Sequence, residues 1–360
     1  METPNKNPNT ENDYLWDGSG TPDPQIQQLE TLLGKFRHDG AVLEFPKVTP
    51  VSRWKSPRVR MFAAFAAAAV ILIAAAIFFR KQPEITTASA GWDISNFSGT
   101  PRIGTKLIAQ KNASLKPGQV LETDARSSAS LESSDTGQIE IEPGTRLRIL
   151  TMTSGRRHIA LERGTIHAFI WAPAGEFVVD TPSATTVDLG CSYTLHVDDS
   201  GAGIVRTSLG WVGFKLNGRE SFIPAGAACA TKPKSGPGTP YFEDAPSELR
   251  AALSRFDFED TTPEQRANDL ATILANSRAQ DALTLWHLLS RVDAGQRTRV
   301  FDRLNATAPA PAGVTREGIL ALDQPMLDQW WNSLGFDNIS VWRHWEHTWP
   351  APDSNQKMDH

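Results

Sequence analysis

The chain has 360 residues, with 36 Lys and Arg against 41 Asp and Glu, a net charge of −5 at pH 7. No basic excess is present to hold nucleic acid, and the length allows two or three domains. The mean hydropathy of −0.33 is that of a water-soluble chain, so any membrane character has to be local, and two cysteines are too few for a disulfide scaffold.

Residues 1–60 open with a polar stretch rich in Pro, Asn and Gly, broken by Tyr14, Leu15 and Trp16. Pro22 and Pro24 then precede Ile26, Leu29, Leu32, Leu33 and Phe36, whose spacing predicts an amphipathic helix over about 24–37. One helix of this length cannot bury its apolar face alone. Trp16, Ile26, Leu29, Leu33 and Phe36 are therefore candidate anchors for docking into a partner's groove. The other readings are a small hairpin packed on itself and a helix lying on the membrane surface.

Residues 61–79 read MFAAFAAAAVILIAAAIFF, without charge, Pro or Gly. As a helix the run spans roughly 28 Å, close to the hydrocarbon core of a bilayer. The expectation is a single transmembrane helix; the alternatives are a buried core helix and a signal peptide cleaved after Ala88-Ser89-Ala90. The long stretch before the run and its own length favour an uncleaved signal-anchor. Arg53, Lys55, Arg58 and Arg60 precede it, against Arg80 and Lys81 after it, which puts residues 1–60 on the cytoplasmic side. The expected location is the inner (cytoplasmic) membrane, with the C-terminal portion periplasmic or otherwise extracytoplasmic.

A tether over 80–97 leads into short strands over 98–231. Ile166, Ala168 and Ile170 alternate with polar or aromatic neighbours, as do Tyr193, Leu195 and Val197, and Val212, Phe214 and Leu216. Asn217-Gly218 between two such runs predicts a two-residue hairpin turn, because both positions need positive φ. Turn residues at this density predict an all-β roll, sandwich or short solenoid. Residues 232–246 begin with the phrase KPKSGPGTP and read as a Pro/Gly linker. The period then becomes helical over 247–338, a separate α-helical region, with Thr262, Pro263 and Gln265 composing a capping box. Further helices are expected at 279–291, 295–305, 315–322 and 325–335, followed by a Trp-rich tail over 339–360.

The β segment carries the phrases LKPGQVLETDARSSASLES, GQIEIEPGTRLRIL, HIALERGTIHAFI and FVVDTPSATTVDLGCSYTLHV, followed by VRTSLGWVGFKLNG and IPAGAAC. In this order and spacing they resemble the FecR family, the periplasmic domain of iron-dicitrate-type transmembrane regulators. The resemblance runs from near Gly99 into the 220s, and Cys191 stands where the family usually has Thr. It implies an anti-sigma factor: a cytoplasmic region that sequesters an extracytoplasmic-function sigma factor, governed by an envelope signal received outside. The tail here is shorter than the family's sigma-binding region. The C-terminal helices stand where transporter-sensing members carry a small mixed α/β subdomain. Iron, siderophore and transporter specificity are therefore not carried over.

Cys191 and Cys229 fall on the oxidising side, and are either a disulfide joining two strands or two buried thiols. His344 and His347 have the spacing of two ligands on a helical face, but no third ligand stands in register and HExxH is absent. Packing or an aromatic stripe with Trp342, Trp345 and Trp349 explains them better, so no metal is expected. His158, His167 and His196 read as solvent-facing strand residues, and Trp286, Trp330 and Trp331 as helical core. No nucleophile–base pair, P-loop or paired-carboxylate motif appears, so neither catalysis nor a cofactor is expected. The sequence thus predicts a membrane regulator with a sigma factor at its tail and an envelope protein or ligand outside. The alternative is a membrane-anchored envelope scaffold or ligand-binding protein with no sigma-factor binding.

Overall fold

The computed structural model describes residues 91–348, except 109, 112 and 154, together with Gln27. These residues fall almost wholly within the second of two units, Met1–Gln82 and Pro83–His360. The organising element is strand β9, Arg156–Ile170. Its buried residues are Arg157, Ile159 and Leu161 in the first half, then Ile166, Ala168 and Ile170 in the second. The inward parity changes from odd to even around Gly164, whose φ is +94° and whose missing Cβ makes room for Thr145. A strand that switches faces at a glycine turns the corner between two layers.

Eighteen strands among the described residues join one continuous sheet, folded there into two leaves that share β9. The back leaf orders β3 (Lys106–Leu107), β2 (Arg102–Ile103), β5 (Val120–Glu122), β8 (Arg146–Thr153) and the first half of β9. It continues with β10 (Phe177–Thr181), β11 (Ala184–Asp188), β14 (Trp211–Leu216) and β15 (Arg219–Pro224). The front leaf orders β4 (Ser114–Leu115), β1 (Trp92–Ser98), β6 (Ser128–Ser133), β7 (Gly137–Ile141) and the second half of β9. Then follow β12 (Ser192–Val197), β13 (Gly203–Leu209) and β16 (Ala227–Lys232), with β17 (Gly236–Pro237) and β18 (Tyr241–Phe242) both paired to β16. All pairings are antiparallel except β9–β10, which is parallel and makes the sheet mixed.

Asn217 and Gly218, at φ of 49° and 78°, form the β14–β15 turn. The helices start at side-chain caps. Thr262 caps α2 (Pro263–Asn276), with Gln265 closing the box. Asp293 caps α4 (Ala294–Thr307), Thr315 caps α5 (Arg316–Leu320) and Asp323 caps α6 (Gln324–Ser333). Each cap accepts from a backbone N–H of the first turn. The set is completed by α1 (Ser247–Phe258), a 3₁₀ turn at Ala279–Asp281, α3 (Ala282–Leu289) and α7 (Ser340–Thr348).

The expected fold class needs correction in two respects. The β part is a mixed, two-leaved sheet and not an all-β roll or solenoid, and the helical region is not separate. Its apolar residues join those of the strands in one core cluster. The reason lies in β14–β15, where Trp211, Val212, Gly213, Phe214, Ser221, Phe222, Ile223 and Pro224 are buried on consecutive positions. A hairpin buried on both faces needs a cover on each, and helices supply the second. The stretch read as a linker is also ordered: residues 236–240 are buried and contribute β17. The expected transmembrane helix falls on 61–79, outside the described residues; among those described no helix is long and apolar enough to cross a membrane.

Candidate functional site

Trp16, Ile26, Leu29, Leu33 and Phe36 lie outside the described residues. Cys191 and Cys229 are both free and buried. Cys229 faces Val205 across β16–β13, Val205 faces Leu195 across β13–β12, and Cys191 lies four residues before Leu195. That register separates them by about 10 Å across the sheet and about 13 Å along it. A disulfide needs Cα atoms within about 7 Å. Each thiol has its own acceptor instead: Asp188 Oδ2 for Cys191, at 2.6 Å, and the Gly238 carbonyl for Cys229, at 3.1 Å. Of the two histidines weighed as ligands, His344 is exposed on α7 and the side chain of His347 is outside the described residues. No three metal-ligating side chains cluster among the described residues.

Asp188 ends β11 as a buried carboxyl, accepting from the Gly190 N–H at 2.8 Å as well as from Cys191. Burial pushes it up to about 7, although those two donors favour the charged form. Burial, then the nearby Asp188 charge, holds the Cys191 thiol and the Tyr193 hydroxyl well above their ordinary values. The buried Tyr193 hydroxyl has no hydrogen-bond partner. The sequence signal was the phrase DLGC, in which Gly190 at φ +89° turns the thiol back toward the carboxylate.

The back leaf is capped. Phe222 is fully buried, and its ring meets Trp211, Trp286, His287, Trp331 and Trp342 at centroid distances of 5.2 to 6.0 Å. His287 Nε2 accepts from the Phe222 N–H at 2.9 Å while Nδ1 lies 2.8 Å from the Leu283 carbonyl. These roles fix a neutral imidazole protonated on Nδ1. Burial, then the Arg291 charge, holds its pKa well below the usual value. Arg291 donates to Thr239, the Glu220 carbonyl and Ser221, and burial lowers it to about 10. The last helix is keyed in by shape. A Cβ on Gly213 would overlap the Trp342 ring, and one on Gly175 would sit 2.6 Å from Trp345. Arg343 bridges Glu220 and Asp328 at 2.9 and 3.0 Å, and Lys215 pairs with Glu346.

The front leaf differs on its outer face. One row across the strands runs Asp93, Glu132, Gln138, Phe169, Ser192, Leu209. Phe169 is 51% exposed, Trp171 47% and Leu209 59%. The Phe169 and Trp171 rings touch edge-on at 5.9 Å, and the Trp171 indole is held by the Ser134 carbonyl at 3.1 Å. The next row runs Ser130, Glu140, His167, Thr194, Arg206. His167 pairs with Glu142 at 2.6 Å and Arg206 with Glu243 at 3.0 Å. Large exposed apolar groups gathered on one face mark an interaction surface. His167 also joins the Thr194 hydroxyl, 2.9 Å from Nδ1, to the Glu142 carboxylate, and the Thr165 hydroxyl lies 2.9 Å from His196 Nδ1; the exposed apolar groups beside them suit binding. Sequence reading missed this face, because strand alternation tells inside from outside only once the register is known.

Residues 119–209 match the family model described as FecR protein. Over this stretch, from β5 to β13, the chain is FecR-like, as its phrases indicated. That family is regulatory and not enzymatic. No curated protein matches the sequence. Two crystal structures of a candidate anti-sigma factor from Parabacteroides distasonis ATCC 8503, at 2.50 and 1.65 Å resolution, align at 17% identity with a TM-score of 0.31. The first alignment covers 38% of this chain and 64% of that one; the second covers 44% and 76%. The chain thus spans just under two thirds of the first structure, and at this likeness neither carries an argument about partners here.

Proposed function

We propose that the chain is an envelope-signalling regulator that sequesters a sigma factor on residues 1–60 and is governed by its FecR-like unit. The observation that carries this reading is the family match over 119–209. The amphipathic spacing of Ile26, Leu29, Leu33 and Phe36, with Trp16 nearby, supports a partner-binding tail. The apolar run 61–79, with its basic flank, supports a place at the inner membrane with the tail inside. The mechanism is binding: the tail holds its partner until a change outside releases it.

The test is affinity capture from native membranes with the full-length protein, read by mass spectrometry, beside a variant carrying Leu29→Asp and Phe36→Asp. Enrichment of a sigma factor on the native protein, lost on the variant, is the expected result. Equal enrichment on both would remove these residues from the interface. Absence of any sigma factor from an intact, soluble bait would leave the second reading, an anchored scaffold or ligand-binding protein. The bare aromatic face of the front leaf favours that alternative independently of the tail.

A further inference from the structure

The outer face of the front leaf is apolar at one end and acidic at the other. Asp93, Glu132, Glu140 and Glu142 stand on or beside β1, β6 and β7. The segments 92–98, 128–133, 137–141 and 165–170 contain no Lys or Arg. Among the described residues Asp93, Glu132 and Glu140 enter no ion pair, while Glu142 meets only His167. Asp93 and Glu132 lie directly opposite each other in the β1–β6 register, a placement that destabilises a sheet by like-charge repulsion. The fold alone gives no reason to keep that repulsion next to Phe169 and Trp171.

We propose that this face docks a basic amphipathic helix from a partner protein. A sheet face is covered by a helix or another sheet, and the charge on this one selects a cationic cover. The row from Leu209 to Asp93 crosses five inter-strand spacings, about 24 Å, which is the length of a helix of about sixteen residues. Its apolar side chains would lie on Phe169, Trp171 and Leu209. Its Lys or Arg side chains would lie over Glu132, Glu140 and Asp93. The inference concerns the FecR-like unit alone and stands or falls apart from the sigma-factor reading.

The test uses the full-length protein and two labelled helical peptides of about sixteen residues, one of Lys and Leu, the other of Glu and Leu, followed by fluorescence anisotropy. The Lys peptide is expected to bind and the Glu peptide not to. Replacing Phe169→Ser with Trp171→Ser should weaken binding about tenfold or more, as loss of aromatic anchors does. Glu132→Lys with Glu140→Lys should weaken it comparably and flatten its salt dependence. Leu107→Ser, on the exposed edge strand β3 of the back leaf, should leave it unchanged. All variants should melt as the native protein does, since the replaced side chains are exposed. Failure of the Lys peptide to bind, equal binding of both peptides, or no effect of the face variants would overturn the proposal. So would equal loss with Leu107→Ser, which would mean general apolar adhesion. A dimer seen in sedimentation and abolished by the Phe169 and Trp171 changes would assign the face to a second copy, and would equally overturn it.

Discussion

Phe222 and Phe169 are the same residue on strands of the same sheet, in opposite circumstances. Phe222 is sealed under Trp286, Trp331 and Trp342 in the capped back leaf, and Phe169 stands half in water on the bare front leaf. The surroundings differ in the same sense. On the back leaf every nearby charge is spent: Arg343 on Glu220 and Asp328, Arg291 on Thr239, Ser221 and a carbonyl. On the front leaf Glu132 and Glu140 have no cationic partner among the described residues. The difference teaches which aromatic residues hold the fold and which are left over for another molecule.

The largest effect should come from the capped side. Trp331→Ala removes a fully buried ring from the junction and should destabilise by about 3–5 kcal/mol in denaturant unfolding. A loss below about 1 kcal/mol, the range of surface changes, would mean that the cap is not integral.

Asp188 gives the next effect, through pH. Its native carboxyl keeps a proton to about 7, whereas the unfolded carboxyl releases it near 3.8. The native state holds the extra proton between those values. Stability is therefore fully present below the unfolded value, falls as pH rises toward 7, and levels above it. Asp188→Asn should remove a slope of up to about 1.4 kcal/mol per pH unit. Urea unfolding at steps from about pH 4 to about pH 8 would read it. An unchanged slope in the variant would show that Asp188 is not the group responsible.

Gly213→Ala should cost about 1–3 kcal/mol by overpacking, because the new methyl collides with the Trp342 ring. The loss should be local, with amide exchange accelerating in α7 before it does in β14. Uniform acceleration would argue against α7 as a separately keyed element. The smallest effect belongs to the bare side: Phe169→Ser should change stability by no more than about 0.5 kcal/mol, read in the same unfolding experiment as Trp331→Ala. A large loss there would mean that the front face is covered in the native protein.

Local chemistry made much of this fold legible. Thr262, Pro263 and Gln265 form their capping box, Asn217-Gly218 forms its turn, and the alternations at 166–170, 193–197 and 212–216 are strands. Each depends on neighbours a few residues away. What was not legible depends on distant ones. The attachment of the helices rests on Arg291 reaching Glu220 and on Trp331 reaching Phe222, and no local period encodes such contacts. The Pro/Gly phrase 232–240 carries every local sign of a linker, yet Gly238 is closed in by Phe258, and Thr239 donates to Asp257 at 2.6 Å. The separation of the two cysteines likewise follows from strand order, which β9 sets by turning at Gly164.

The central claim is that sheet and helical cap are one cooperative body that leaves the outer face of the front leaf bare among the described residues. Amide exchange of the full-length protein across a guanidinium series, resolved by mass spectrometry, tests it most directly. The account predicts that amides of β14–β15, α3 and α6 open together, at one free energy and with one denaturant dependence. Helices that exchange at markedly lower free energy, while the strands stay protected, would contradict it and restore the helical region as an independent appendage.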